Sequence, residues 1–201
     1  VTEAGARDLA GGPPGAADVA LLRGLRGGEA RCFEQLWDRF GARLHGYAAS
    51  CLGGDEELAE DIVVQSLAAA VRSIRSFDPR RSNLSAWLYG VARRVIQGEM
   101  RKQRRRASVP ASAQVPLDAA APVTPAVAER DLPARIDAAR KVGLLSAALS
   151  GAEMEVLVLH FVDEFSVKEI AGITGRSWRA VDSLLYRAKE KARERLAQDG
   201  D

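Results

Sequence analysis

Residues 107–128, ASVPASAQVPLDAAAPVTPAVA, hold four prolines and one charged residue. Proline lacks a backbone N–H and has a fixed φ, so this stretch can neither extend a helix nor join a sheet. It has too few large apolar side chains to build a core. It therefore reads as a flexible linker, placed over 107–132, that divides the 201 residues into two blocks. The blocks are expected at 18–106 and 133–198. A Gly-, Ala- and Pro-rich tail, residues 1–17, is expected to be disordered.

The first block has helical spacing. Phe33, Leu36, Trp37, Phe40, Leu44, Tyr47, Ala48 and Cys51 recur in steps of three and four, which predicts one long amphipathic helix. The GGD at 53–55 ends it. Asp55, Glu56 and Glu57 open a second helix, where acids suit the positive end of the dipole. Its buried face is expected at Val63, Leu67, Ala70, Val71 and Ile74. FDPRRSN at 77–83 is a turn, with Ser82 or Asn83 placed to cap a third helix. That helix carries Leu84, Trp87, Leu88, Val91 and Val95, and runs into RKQRRR at 101–106. Trp87 lies on the apolar stripe and is expected in the core. Tyr89 lies off it and is expected at the surface, where a base can stack on it.

The second block starts with a helix expected over about 133–148. Ser150 with Glu153, and Ser166 with Glu169, have the spacing of capping boxes. Met154, Leu157, Val158 and Phe161 line the helix after the first box. After the second, Ile170 and Ala171 give a short helix its apolar side, Gly175 suits a left-handed turn, and Ser177 starts another helix. There, Val181, Leu184, Leu185 and Ala188 are spaced to face inward. Trp178, Arg179, Asp182, Ser183, Tyr186, Arg187 and Lys189 then face outward. Two short helices around a glycine turn form a helix-turn-helix, whose second helix can enter a DNA major groove. A plain helical hairpin with a solvated charged face has the same spacing. Nowhere does the chain alternate with period two, so the expected fold is all-α, with two small helical domains.

Composition narrows the function. The net charge is only +2, so contact with nucleic acid must rest on local basic patches. One such patch is Arg93, Arg94, Arg101, Lys102, Arg104, Arg105 and Arg106, although a charge run is often only a solvated face. The two cysteines, Cys32 and Cys51, match no zinc spacing and no disulfide framework. No metal or cofactor is expected, and a reducing, cytoplasmic setting is the simplest reading. The N-terminal stretch lacks the apolar core of a signal peptide, and the run VLVLHFV is too short to cross a membrane. His45 and His160 lie in apolar helices without nearby nucleophile or carboxylate pairs, so an enzyme is not expected.

The stretch FEQLWDRFGARLHGYAASCLGGDEELAEDIVVQSLAAAVRSIRSFDPRRSNLSAWLYGVARRVI resembles region 2 of bacterial extracytoplasmic-function (ECF) sigma factors, of the sigma-70 family. LLSAALSGAEMEVLVLHFVDEFSVKEIAGITGRSWRAVDSLLYRAKEKARERL resembles their region 4. The resemblance covers about 21–106 and 140–196. It implies a dissociable initiation subunit of RNA polymerase. Asp61, Val64 and Gln65 would dock on the core enzyme. Arg80, Arg81, Ser82 and Asn83 would hold a flipped base of the −10 element, with Tyr89, Arg93 and Arg94 also serving the opened strand. Arg176, Ser177, Trp178, Arg179, Asp182, Ser183, Tyr186 and Arg187 would meet the −35 duplex. Core RNA polymerase, promoter DNA and an anti-sigma factor are the implied partners, without membrane insertion.

The chain departs from the family pattern at several points. Val64-Gln65 stand where the family has Gln-Glu, Leu67 where it closes on Phe, and Arg94 where it has Asn. Asp182 is an acid where a basic residue usually meets DNA, and Leu184 widens the apolar face. Two alternatives remain at this level: a degenerate sigma-like protein acting through protein partners, and a stand-alone helix-turn-helix regulator.

Overall fold

The computed structural model describes residues 16–107, 145 and 147–199. Among these there is no strand, and seven α-helices carry the fold. The N-terminal unit is α1 (Ala16–Gly27), α2 (Ala30–Cys51), α3 (Glu56–Ser73) and α4 (Leu84–Ala107), with one 3-10 turn at Ile74–Ser76. The C-terminal unit is α5 (Gly151–Phe161), α6 (Val167–Thr174) and α7 (Trp178–Asp199). Among the described residues no helix is long and apolar enough to cross a membrane.

The helix boundaries follow local chemistry. Gly53 and Gly54, at φ of 72° and 92°, turn the chain out of α2. Asp55 caps α3 by accepting from the Leu58 N–H at 3.0 Å. Asn83 Oδ1 accepts from the Ala86 N–H at 2.7 Å at the start of α4. Both expected capping boxes are present, Ser150–Glu153 on α5 and Ser166–Glu169 on α6. Gly175 closes α6 at φ 68°, and Ser177 Oγ accepts from the Ala180 N–H at the head of α7.

Leu36, Phe40, Leu44 and Tyr47 of α2 pack with Ile62, Val63 and Leu67 of α3 and Leu84, Leu88 and Tyr89 of α4. α1 adds Leu21, Leu22 and Leu25. The sequence pattern did not separate α1 from its surroundings, because its apolar residues fall within three turns flanked by glycines. Phe33, expected on the buried stripe of α2, is exposed at the near end of that helix.

On α4 one expectation needs correction. Tyr89 was expected at the surface and is 0% exposed. Trp87, expected in the core, packs against it half-buried, with ring centroids 5.3 Å from the buried Phe77. Tyr89 is buried because α4 is covered on two sides. α2 and α3 take one side, and α6 packs on the other, so a residue off the first stripe enters a second interface.

The two units therefore pack directly, α4 against α6 and α2 against α5, where a loose pair of domains was expected. α5 explains this: Met154, Val156, Val158 and Leu159 are buried together with Glu153 and Glu155, so most sides of the helix are covered. Such a helix must be wedged between neighbours. The expected linker and the expected helix over 133–148 lie outside the described residues, apart from 107 and the helical 145, 147 and 148. The expected tail lies outside them too, except 16 and 17, which are helical.

Leu67→Ala on α3 removes a fully buried side chain and should cost about 2–5 kcal/mol in urea denaturation. Val64→Ala, one turn earlier but exposed, should stay within about 0.5 kcal/mol. Similar losses at both positions would contradict this assignment of the buried face.

Candidate nucleic-acid interface

α7 presents two faces. Val181, Leu185, Ala188 and Ala192 are buried against α5 and α6. Trp178, Arg179, Asp182, Ser183, Tyr186 and Arg187 share the exposed side. Trp178 and Tyr186 are 59% and 70% exposed, which is unusual for aromatics on a helix that has a core available. The Arg179 guanidinium lies 5.3 Å from the centre of the Trp178 ring. Arg187 is 3.6 Å from Glu153, so part of its charge is already balanced.

On the N-terminal unit, Arg80, Arg81 and Arg94 are exposed, while Ser82 and Asn83 are half-buried. The loop is shaped by Asp78, whose Oδ1 accepts from the Arg80 N–H at 2.9 Å. It borders a groove of about 810 Å³ whose far wall is α6, with Lys168, Glu169 and Gly172. On α3, Asp61, Val64 and Gln65 are all exposed on one face, away from these two surfaces in sequence and on a different helix.

The structure brings residues of the two predicted DNA sets together through carboxylates. Glu155 on α5 accepts from Arg93 Nε at 2.6 Å, Arg176 Nη1 at 3.3 Å and Tyr47 Oη at 3.2 Å. Asp163, just past α5, accepts from Tyr89 Oη at 2.6 Å and lies 3.5 Å from Arg43 Nη2. Glu169 holds its capping box with Oε2 and accepts from Asn83 Nδ2 at 2.7 Å with Oε1. The Tyr89 ring sits between Tyr47 at 5.2 Å and Phe165 at 4.8 Å.

Glu155, Asp163, Arg43 and Tyr47 were not anticipated, and Glu169 was read only as a cap. One signal was present: MEVLVLHFV places an acid inside a helix that is apolar nearly all round, and such an acid must find buried donors.

These environments set the ionisation. Burial pushes the Asp163 carboxyl up to about 6, against the opposing pull of Tyr89 and Arg43. Burial alone would raise Glu153 too, but Lys191 and the Ser150 N–H and hydroxyl outweigh it and bring that carboxyl down to about 2. Burial, with Glu155 nearby, lifts the Cys51 thiol to about 12, so it stays protonated.

Because the Asp163 value is raised, the folded protein holds that proton more tightly than the unfolded chain. The stabilisation is complete below about pH 4 and is lost as pH rises through about 6. The difference corresponds to about 3 kcal/mol. Glu153 acts in the opposite sense, but only below about pH 4.5. Between pH 5 and 7.5 the urea midpoint of the wild-type chain should therefore fall, and Asp163→Asn should flatten that slope. A slope of equal size in Asp163→Asn would assign it to another group.

The family model described as Sigma-70 region 2 matches residues 36–106, and that of Sigma-70, region 4 matches 139–191. The chain is 25% identical over 183 residues to the ECF RNA polymerase sigma factor BldN of Streptomyces coelicolor, covering 90% of this chain. It spans 66% of that relative's length. Its fold is similar to CnrH, solved in complex with the cytosolic domain of CnrY: TM-score 0.66, 27% identity, 91% of this chain and 99% of that one. It is similar also to the sigma factor RpoE of Bartonella quintana, solved with the anti-sigma factor NepR: TM-score 0.63, 25% identity, 82% and 96% covered. The two matches fall in order on the two helical units, and the chain belongs to the sigma-70 family, in its extracytoplasmic-function group.

Proposed function

We propose that this chain is an initiation subunit that binds core RNA polymerase, reads −35 and −10 promoter elements and supports promoter opening. The observation that carries this reading is the pairing of both family matches with an α7 whose aromatic and basic residues face outward. The −35 element would be read as duplex. Arg176, Ser177, Trp178, Arg179, Asp182, Ser183, Tyr186 and Arg187 would lie in or beside the major groove, where each base pair shows a distinct donor and acceptor pattern. The −10 element would be read after opening, when unstacked bases expose all their edges. Arg80, Arg81, Ser82 and Asn83 would hold a base there, with Tyr89, Arg93 and Arg94 along the strand.

Asp61, Val64 and Gln65 would form the polymerase contact. The chemistry would remain with the polymerase, in the cytoplasm. The units 18–106 and 133–198 would engage DNA as separate domains, and the 107–132 linker would let two weak sites act together through effective concentration. An anti-sigma factor is the expected regulator, in line with the complex in which the RpoE relative was solved. A second reading, an interaction protein without promoter activity, draws on Val64, an apolar residue 44% exposed on the proposed polymerase face.

Co-elution with core polymerase, in competition with a housekeeping sigma, separates these readings. Binding is expected, and a well-folded chain that never binds would leave only the second. For the DNA contact, Asp182→Lys should strengthen nonspecific binding and steepen its salt dependence by roughly one phosphate. An unchanged slope would place position 182 away from the backbone.

A further inference from the structure

We propose that Asp182 reads a cytosine in the −35 duplex, one or two base pairs from a guanine held by Arg179, so that an acid is the selective residue of α7. The proposal deepens the sigma-factor reading above and rests on it.

Both side chains lie near the start of α7, the part of a recognition helix that reaches base edges. Asp182 is exposed, and its carboxylate has no hydrogen-bond or ion-pair partner among the described residues. A surface acid on a helix usually pairs with a cation one turn away. Arg179 occupies that position, yet its guanidinium lies 5.3 Å from the centre of the Trp178 ring instead. The stacking leaves both groups available, a planar donor fork and, one turn on, a lone acceptor. The other two arginines of the proposed −35 set are drawn toward α5. Arg176 lies 3.3 Å from Glu155 and Arg187 3.6 Å from Glu153. Base selection on this face therefore falls to Arg179 and Asp182 among its charged residues.

A carboxylate only accepts hydrogen bonds. In the major groove guanine and thymine show it acceptors alone, and adenine sets its N7 acceptor beside its N6 donor. Cytosine N4 is the one donor with no acceptor next to it on the same base. Arg179 suits guanine, whose O6 and N7 accept two parallel bonds. Helix positions one turn apart are separated by about 5–6 Å, and successive bases by about 3.4 Å, so the two bases lie one or two pairs apart. Asp182 also repels phosphate in every sequence alike. Its charge weakens contact with DNA in general, and only a cytosine at the matching position offsets that loss. The result is sharper discrimination between sites.

The test is selection of −35 sequences from a randomised duplex by the full chain bound to core polymerase, with the full chain alone as a second arm. Wild type should enrich cytosine at one position and guanine one or two pairs away, each about tenfold over other bases. Asp182→Asn keeps the size and offers a donor beside an acceptor, the match for adenine, so adenine should replace cytosine at that position alone. Asp182→Ala should leave that position without preference, and Arg179→Ala should do the same at the guanine. Both positions are exposed, so these variants leave the core intact. An element that wild type selects and both Asp182 variants select unchanged would overturn the assignment and leave the sigma-factor reading in place. Selection of no element by wild type would also overturn it, and core-polymerase co-elution of the same chain decides the sigma-factor reading separately. If that co-elution fails while the chain alone selects an element that shifts in Asp182→Asn, the sigma-factor reading falls and the cytosine contact stands.

Discussion

Glu155 is a carboxylate in the middle of a buried, largely apolar helix, and the arrangement of the two units depends on how it is satisfied. An ionised carboxyl taken out of water costs several kcal/mol unless strong donors replace the lost hydration. Here those donors are the Tyr47 hydroxyl on α2, the Arg93 guanidinium on α4 and the Arg176 guanidinium ahead of α7. No helix of the C-terminal unit alone could supply this set. α5 is therefore complete only when seated on α2 and α4, and its position brings Asp163 to Tyr89 and Glu169 to Asn83.

The same seating gives the interface a mixed character. Its centre is apolar and aromatic, with Tyr47 tilted and Phe165 edge-on against Tyr89, and its polar atoms are carboxylates meeting donors on the opposite unit. Apolar burial supplies most of the attraction, while the carboxylates set the register and are sensitive to competition by other anions. A polyanionic ligand such as DNA acts on the second component. An interface of this composition can be tight in the free chain and still be displaced.

Much of the helical framework was legible in the sequence. The capping boxes at Ser150 and Ser166, the glycine turn at 175 and the outward face of α7 all follow from spacings within one or two turns. So does the cap expected at Ser82 or Asn83, which Asn83 provides. These features depend on local hydrogen bonding and on 3.6-residue periodicity, which neighbouring residues alone express. Tyr89 was misplaced because periodicity describes one interface per helix. α4 has two, and the second is made by residues about 75 positions further along the chain. α1 escaped notice because a short helix between glycines has too few turns to show a stripe.

The sequence by itself determined the helical class, the division into two units, the caps and turns of the C-terminal helices and the family. Each of these is written in local spacing or in motifs that are contiguous in the chain. Only the tertiary structure decided that the units pack together, that Asn83, Tyr89 and Arg93 meet Glu169, Asp163 and Glu155, and that burial raises the Asp163 carboxyl. The physical reason is that desolvation and pairing of a buried charge depend on everything around it in space. A sequence records a carboxylate's neighbours along the chain, but not the donors that a distant helix brings to it.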